Sequence, residues 1–205
     1  MIITNIKGME LQFRTEGSLF SPLHIDKGTL ALLSAIEFDE EDRVCDLGCG
    51  YGAVGITAAR LIGSDRVLMI DNDPEAVICA RENARLNGVP EAAIIESDGF
   101  SATQETHFTK IITHPPYHAD FSVPKRFIEK GFNRLALEGR FYMVTKRKEW
   151  YKQKLISIFG GVSIREVEGY YVFMAAKKAA RMPQPGQAPD NCGAGSTSGT
   201  INEEQ

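Results

Sequence analysis

The sequence is poor in cysteine, and its four cysteines are scattered. Cys45, Cys49, Cys79 and Cys192 show neither the paired spacing of a zinc site nor the density of a secreted disulfide scaffold. The sequence also lacks a charge-free apolar run near the ~18 residues that span a bilayer, and its start lacks the basic-then-apolar order of a signal peptide. We therefore expect free thiols, no metal site, no membrane segment and a cytoplasmic location.

Acidic residues slightly outnumber basic ones, but the basic residues are clustered. The chain has 205 residues and a net charge of −4, and 43% of its residues are hydrophobic. Between Lys125 and Lys154, ten Lys or Arg residues stand against three Glu, whereas the remainder of the chain is strongly acidic. A basic face for a polyanion and an ordinary solvated helix surface are both compatible with this pattern.

The organisation of the chain changes near residue 180. Residues 181–205 consist mainly of Gly, Pro, Ser, Thr, Asn and Gln, and they cannot bury enough apolar surface to fold. We expect one domain over residues 1–180 and a disordered tail over residues 181–205.

Within the domain, strand-like runs alternate with helical patterns, which is typical of βαβ units and a mostly parallel sheet. The predicted strands are Glu10–Thr15, Arg43–Leu47, Arg66–Ile70, Ala92–Glu96, Lys110–Thr113 and Arg140–Thr145. The predicted helices are Asp26–Ile36, Ala53–Leu61, Pro74–Asn87, Val123–Leu137 and Lys148–Phe159. Ser163–Val167 and Tyr171–Ala175 are separated by too few residues for a parallel crossover, so they predict an antiparallel hairpin.

Glycines alternate at the end of the first predicted parallel strand, in the run DLGCGYG at residues 46–52. Such a loop lets the backbone turn sharply against a ligand, and the following helix offers unpaired N–H groups. A sulfonium amino acid fits this loop, because Asp46 can bind its ammonium group and the backbone can bind its carboxylate. However, residues 50–55 also spell the dinucleotide fingerprint GxGxxG, with Asp71 21 residues beyond Gly50. The loop alone leaves a nicotinamide dehydrogenase open.

Acidic side chains follow the next two strands as well. Asp71 ends the second parallel strand, where a carboxylate can accept hydrogen bonds from both ribose hydroxyls, and Asn72 can flank an adenine. Asp98 follows the third strand, where it can accept from an adenine amino group, with Phe100 available for stacking. Each acid also has an alternative role as a turn or cap residue. Three acids at successive strand ends nevertheless favour a nucleoside-containing cofactor.

Four segments resemble the methyltransferase small-domain family: DLGCGYG at residues 46–52, DNDPEAV at 71–77, SDGF at 97–100 and HPPYH at 114–118. That family includes guanine-N2 methyltransferases of small-subunit ribosomal RNA, and it is more distantly similar to adenine-N6 and protein-glutamine methyltransferases. The resemblance covers Phe20–Lys177 and includes the stretch Asp26-Lys27-Gly28-Thr29, which lies beside the cofactor in the family. Asp26 is equally suited to cap a helix.

The resemblance implies a Rossmann-like α/β fold: a doubly wound, seven-stranded, mostly parallel sheet with an antiparallel C-terminal hairpin. It also implies S-adenosylmethionine as the cofactor. The expected cofactor-binding residues are Thr29, Asp46, Gly48, Cys49, Gly50, Asp71, Asn72, Asp98, Gly99 and Phe100. The expected catalytic residues are His114, Pro115, Pro116 and Tyr117.

The family pattern at the catalytic loop is Asn-Pro-Pro-Tyr/Phe, in which the Asn oxygen and the first prolyl carbonyl accept hydrogen bonds from the substrate amine. This sequence has His114 in place of Asn. A neutral imidazole can accept one hydrogen bond and an imidazolium cannot, so we expect turnover to fall below the imidazole pKa, near ~6.5 if unperturbed. Loss of catalysis is the alternative interpretation of this substitution.

We therefore expect an N-methyltransferase that acts on an exocyclic base nitrogen in RNA, with guanine N2 of ribosomal RNA preferred. A protein glutamine amide has the same conjugated nitrogen and is an alternative substrate, and a non-catalytic cofactor-binding subunit is another alternative. RNA recognition would come from this domain's loops, such as Lys146-Arg147-Lys148, or from a partner or second copy. The sequence leaves the oligomeric state open, a homodimer included.

Overall fold

The structure is a computed structural model that describes residues 1–15, 21, 23–115 and 121–179. The strands within these residues are β1 Ile2–Ile6, β2 Met9–Phe13, β3 Val44–Leu47, β4 Val67–Asp71, β5 Ala93–Glu96, β6 Phe108–Thr113, β7 Leu135–Thr145, β8 Ser163–Val167 and β9 Tyr170–Ala176. The α-helices are α1 Lys27–Ser34, α2 Ala53–Ile62, α3 Pro74–Leu86, α4 Ser122–Arg134 and α5 Glu149–Phe159. The predicted tail lies outside the described residues.

Seven strands form one sheet in the order β5-β4-β3-β6-β7-β9-β8. The first five of these are parallel, and β9 pairs antiparallel with both β7 and β8. The predicted sheet, with its antiparallel C-terminal hairpin, is confirmed. The chain proceeds outward from β3 in one direction and then outward from β6 in the other, so a crevice is expected beyond the carboxyl ends of these two strands.

Two apolar layers cover the sheet, because successive strand residues point to opposite faces. In β4, Met69 packs into the layer under α1, α2 and α3, whereas Leu68 and Ile70 pack into the layer under α4 and α5. All three side chains are buried, as expected for a parallel strand covered on both faces.

Local residues explain where α3 begins and how the chain turns in the last hairpin. Asp73 caps α3 by accepting a hydrogen bond from the backbone N of Glu75 at 2.9 Å, and Pro74 occupies the first helical position. Glu168 and Gly169 connect β8 to β9 with φ angles of 48° and 79°. Positive φ at both central residues is typical of a tight hairpin turn.

Two local predictions were wrong. The predicted helix Val123–Leu137 ends at Arg134, and β7 begins at Leu135, which is buried opposite Phe108 of β6. Pairing with the sheet here overrides the helix propensity of the Leu-Ala-Leu sequence. Strand β1 was missed; it forms a separate two-stranded sheet with β2, and the Asn87 side chain ties this sheet to α3 through both backbone groups of Gln12.

Candidate active site

A cavity of about 360 Å³ lies at the carboxyl ends of the parallel strands. This is the position that the sheet topology predicts for a ligand. Eleven of the fourteen candidate site residues line it, and they come from five separate segments of the sequence. They are Thr29, Asp46, Gly48, Cys49, Gly50, Asp71, Asn72, Asp98, Gly99, His114 and Pro115.

The glycine loop is fixed by backbone hydrogen bonds to the neighbouring strand. The amides of Gly48 and Cys49 both donate to the carbonyl of Ile70, at 2.8 and 2.9 Å. Gly48 and Gly50 have φ angles of 78° and 55°, a conformation that residues with a side chain rarely adopt. The loop is therefore formed by the chain itself and leads directly into the N-terminus of α2.

Asp46 lies at the bottom of the cavity. It is 2% exposed, and its Oδ2 accepts a hydrogen bond from the backbone N of Gly55 at 2.8 Å. Burial is the main reason that the pKa of Asp46 rises to about 7, and the negative charge of Asp71 acts in the same direction. A cation placed beside this carboxylate would relieve the cost of its burial, which suits it to an ammonium group.

Asp71 and Asp98 have partners at the rim of the cavity. Asp71 accepts hydrogen bonds from the backbone N of Gly50 at 2.7 Å and of Asp73 at 3.0 Å. Asp98 receives two hydrogen bonds from the guanidinium of Arg126 in α4, at 2.7 and 2.9 Å. Arg126 thus places a positive charge at the position predicted for adenine recognition.

The predicted stacking role of Phe100 is wrong. Phe100 is buried in the layer under α4, packs against Phe108 and does not line the cavity. The aromatic residues that line the cavity are instead Tyr51 and Phe127, and a Cβ at Gly48 or Gly99 would approach the Phe127 ring to 3.5 and 3.6 Å. No local sequence pattern indicates Phe127, because its position depends on how α4 packs against the loops.

His114 lies at the end of β6 with its side chain 8% exposed. Its Nδ1 is 2.9 Å from Oγ1 of Thr29 and 3.7 Å from Oδ1 of Asp26, which caps α1. Burial lowers the pKa of His114 to about 4, although the Asp26 carboxylate acts in the opposite direction. The pKa of His114 therefore lies below the unperturbed value of 6.5, and the ring is neutral at physiological pH. Pro115 lines the cavity beside it, whereas Pro116 and Tyr117 lie outside the described residues.

The residues that follow β7 form a surface that we call the basic loop, Lys146, Arg147 and Lys148. Each of the three side chains lies over an aromatic ring, at 4.9 Å for Tyr170, 5.5 Å for Phe121 and 5.2 Å for Tyr171. The loop is exposed, and it lies on the same edge of the sheet as the cavity because β7 runs parallel to β6.

The donor set of the cavity fits S-adenosylmethionine. A buried carboxylate can take the ammonium group, the glycine loop can take the carboxylate, and Asp71 can take a ribose. Among the described residues, no three His, Cys, Asp or Glu side chains lie together as a metal site would require, and no helix there is long and apolar enough to span a membrane. The strand order and this site define a class I S-adenosylmethionine-dependent methyltransferase.

The chain belongs to the methyltransferase small domain family, whose model matches residues 10–174. It is 31% identical over 178 residues to the uncharacterized protein YbxB of Bacillus subtilis (strain 168), covering 84% of this chain and 89% of that protein.

Solved structures show the same fold. The 16S rRNA N2 G1207 methyltransferase RsmC of Thermus thermophilus, in complex with AdoMet and guanosine, is similar with a TM-score of 0.78 and 28% identity. The match covers 86% of this chain and 50% of RsmC, so the chain spans half the length of that enzyme. An RNA methyltransferase of Salinibacter ruber, in complex with S-adenosyl-L-homocysteine, matches with a TM-score of 0.57 and 24% identity, over 76% of this chain and 93% of that one.

Proposed function

We propose that this methyltransferase modifies an exocyclic amino nitrogen of a base in RNA, with guanine N2 of ribosomal RNA as the preferred target. One observation carries the proposal: His114 and Pro115, from the predicted acceptor loop, line the same cavity as the residues suited to the cofactor. The similarity to RsmC, a guanine-N2 methyltransferase of 16S rRNA, supports the choice of base.

The cofactor residues divide the cavity between them. Asp46 binds the ammonium group, the backbone of Gly48, Cys49 and Gly50 binds the carboxylate, and Asp71 binds the ribose hydroxyls. Asn72, Asp98, Gly99 and Thr29 also line the cavity. When bound, S-adenosylmethionine supplies a methyl group on a sulfonium, so that transfer to the amine releases S-adenosylhomocysteine and a proton.

The acceptor loop prepares the amine for this transfer. The lone pair of an exocyclic base amine is conjugated into the ring, and two acceptors on its hydrogens draw the nitrogen toward tetrahedral geometry. Neutral His114 supplies one acceptor and the carbonyl of Pro115 supplies the other. Pro116 stiffens the loop before the substrate binds, and Tyr117 stacks on the base.

The basic loop favours RNA over a protein substrate. Its three cations can contact phosphates, and the rings beneath them can stack with unpaired bases. Phe121 is the most suitable of these rings, since it is 37% exposed and already stacks on Trp150 at 4.3 Å. We propose that RNA is bound by this domain's own loops or together with a partner or second copy, a homodimer included. The cytoplasm is the compartment in which we expect this reaction.

Mass spectrometry of RNA nucleosides tests the proposal. RNA from cells that lack the protein should lose one methylated nucleoside, N2-methylguanosine by preference, and the purified protein with S-adenosylmethionine should restore it. The Pro115→Ala variant should restore it more slowly, because the loop is less rigid. If RNA methylation is unchanged and a methylated glutamine is found in a protein, the substrate is a protein and not RNA.

A further inference from the structure

His114 meets the first turn of α1 at one wall of the cavity. Thr29 and Asp26 both lie near its Nδ1, at 2.9 and 3.7 Å, and both come from the start of α1. A neutral imidazole carries one proton, and the ring nitrogen without that proton is its only hydrogen-bond acceptor. The partners of Nδ1 therefore decide which nitrogen can serve the substrate.

We propose that Asp26 and Thr29 are positioning residues that keep the imidazole proton of His114 on Nδ1 and so make Nε2 the acceptor for the substrate amine. The inference rests on the proposed function for its catalytic consequence. The tautomer itself is a property of the protein without substrate.

The charge of Asp26 determines the preference. A carboxylate oxygen only accepts hydrogen bonds, so a proton on Nδ1 is attracted to it, whereas a lone pair on Nδ1 would be repelled. The hydroxyl oxygen of Thr29 can accept the hydrogen bond itself at 2.9 Å. The side chains of His114 and Asp26 are only 8% and 15% exposed, so water screens this interaction weakly.

Asp26 is itself held in place. Its Oδ1 accepts from the backbone N of Gly28 at 2.7 Å, and its Oδ2 accepts from the hydroxyl of Tyr170 at 3.3 Å. Position 28 requires glycine, because a Cβ there would lie 2.6 Å from the Tyr170 ring. The carboxylate thus links α1, the end of β6 and the start of β9.

Among the described residues, the titratable groups beside this network include Tyr51, Tyr170 and Lys146. Burial and, secondly, the negative charge of Asp26 raise the pKa of Tyr51, so this phenol is neutral and adds no charge. Lys146 lies over the ring of Tyr170 rather than against Asp26. Of these described groups, Asp26 is the one that places a carboxylate near Nδ1, at 3.7 Å.

NMR of the full chain labelled with ¹⁵N-histidine tests the proposal without substrate. At neutral pH, the His114 signals, identified by their loss in the His114→Asn variant, should show a protonated Nδ1 and an unprotonated Nε2. Asp26→Asn keeps the oxygen that caps α1 but removes the charge, and Thr29→Val removes the hydroxyl acceptor. At least one of them should shift the proton toward Nε2.

Asp73→Asn is the matched control, because Asp73 caps α3 as Asp26 caps α1 and likewise carries one negative charge. It should leave the tautomer of His114 unchanged. A wild type with its proton on Nε2 would overturn the proposal. A wild type with its proton on Nδ1 in which neither variant shifts the tautomer would remove Asp26 and Thr29 from this role.

Kinetics then test the catalytic consequence. With an RNA substrate and saturating cofactor, Asp26→Asn should reduce kcat by about tenfold or more, as expected for the wrong tautomer of a catalytic histidine. In a His114→Asn background the same change should have less than about a twofold effect, since an amide has no tautomer to select. Equal losses in both backgrounds would assign Asp26 a structural role. Absence of RNA methylation would contradict the proposed function but leave the NMR result intact.

Discussion

The carboxylate of Asp71 accepts a hydrogen bond from the backbone N of Gly50 at 2.7 Å, so the acid that ends one strand holds the glycine loop that ends its neighbour. The same side chain also accepts from the backbone N of Asp73. Asp71 therefore shapes the loop, in addition to the ribose binding that we propose for it.

Replacing Asp71 with Ala should weaken the binding of S-adenosylmethionine and S-adenosylhomocysteine by about 1 to 3 kcal/mol, because a charged acceptor is lost. Calorimetry measures this directly, and Asp71→Asn should recover part of the loss by keeping one acceptor oxygen. NAD should show no binding to the wild type. If the Asp71→Ala variant binds the cofactor with unchanged affinity, the ribose binds to another part of the cavity and not to Asp71.

Cofactor affinity should depend on the ionisation of Asp46. Its pKa is raised to about 7, and only the ionised form attracts an ammonium group. Affinity should therefore fall about tenfold for each pH unit below 7, until the lower pKa of the bound state is reached. Calorimetry between pH 5 and 7 checks this slope, and Asp46→Asn should bind weakly with no slope in the same window. If the cofactor affinity of the wild type does not depend on pH, Asp46 does not bind the ammonium group.

The acid limb of turnover should lie well below neutral pH. His114 is active when neutral, and its pKa is depressed from 6.5 to about 4, so kcat should stay constant to about pH 5 and fall as the pH approaches 4. Saturating cofactor removes the contribution of Asp46 from this profile. His114→Asn should keep or raise kcat and lose the limb. A His114→Ala variant as fast as the wild type would exclude His114 from the reaction.

RNA affinity should depend steeply on salt if the basic loop contacts phosphates. Changing Lys146, Arg147 and Lys148 to Ser should flatten the slope of log affinity against log salt by up to ~3 units, without affecting cofactor binding. Arg66→Ser with Lys178→Ser is the control, since these residues lie at the opposite edge of the sheet. Binding that is independent of salt would assign the basic loop to an ordinary solvated surface.

A buried ion pair lies at the end of the sheet opposite the cavity. It should affect the stability of the fold but not cofactor binding or turnover. Lys110 in β6 is paired with Asp42, which also accepts from the hydroxyl of Thr109 at 2.7 Å. Lys110→Met should reduce the free energy of unfolding by about 3 to 5 kcal/mol, because it leaves a buried carboxylate without its cation. Glu41→Ala, which breaks an exposed pair, should change it by less than about 1 kcal/mol. Urea denaturation compares the two, and equal effects would contradict this account.

Local sequence patterns predicted most of the fold. Glycines after β3 and acids at the ends of β3 and β4 are signals carried by consecutive residues, and the topology brings them to one edge. The start of β7 was mispredicted because Leu135 joins the sheet through its partner Phe108, which is 27 positions earlier in the chain. Such pairing has no local signal.

The candidate site shows the same limit. Phe100 follows Asp98 closely in sequence, yet it points into the core, since proximity along the chain does not determine which way a loop side chain faces. Phe127 and Arg126 reach the cavity from a helix with no motif, and only the packing of α4 places them there. The contact between Thr29 and His114 joins residues 85 positions apart, so the sequence around either residue does not predict it.

The Lys110–Asp42 pair and Asp46 lie at opposite ends of the parallel strands. The pH dependence of stability and the pH dependence of cofactor binding therefore involve different carboxylates. Burial raises the pKa of Asp42, but hydrogen bonds from Lys110, the Asp39 backbone and Thr109 outweigh it, so the pKa lies below its ordinary value of 3.8. This contribution to stability is present above that value and is lost only as the pH falls through the lowered pKa. Asp46, at the other edge, loses its charge near pH 7. Mild acidification should therefore weaken cofactor binding before it removes the contribution of the Lys110–Asp42 pair to stability.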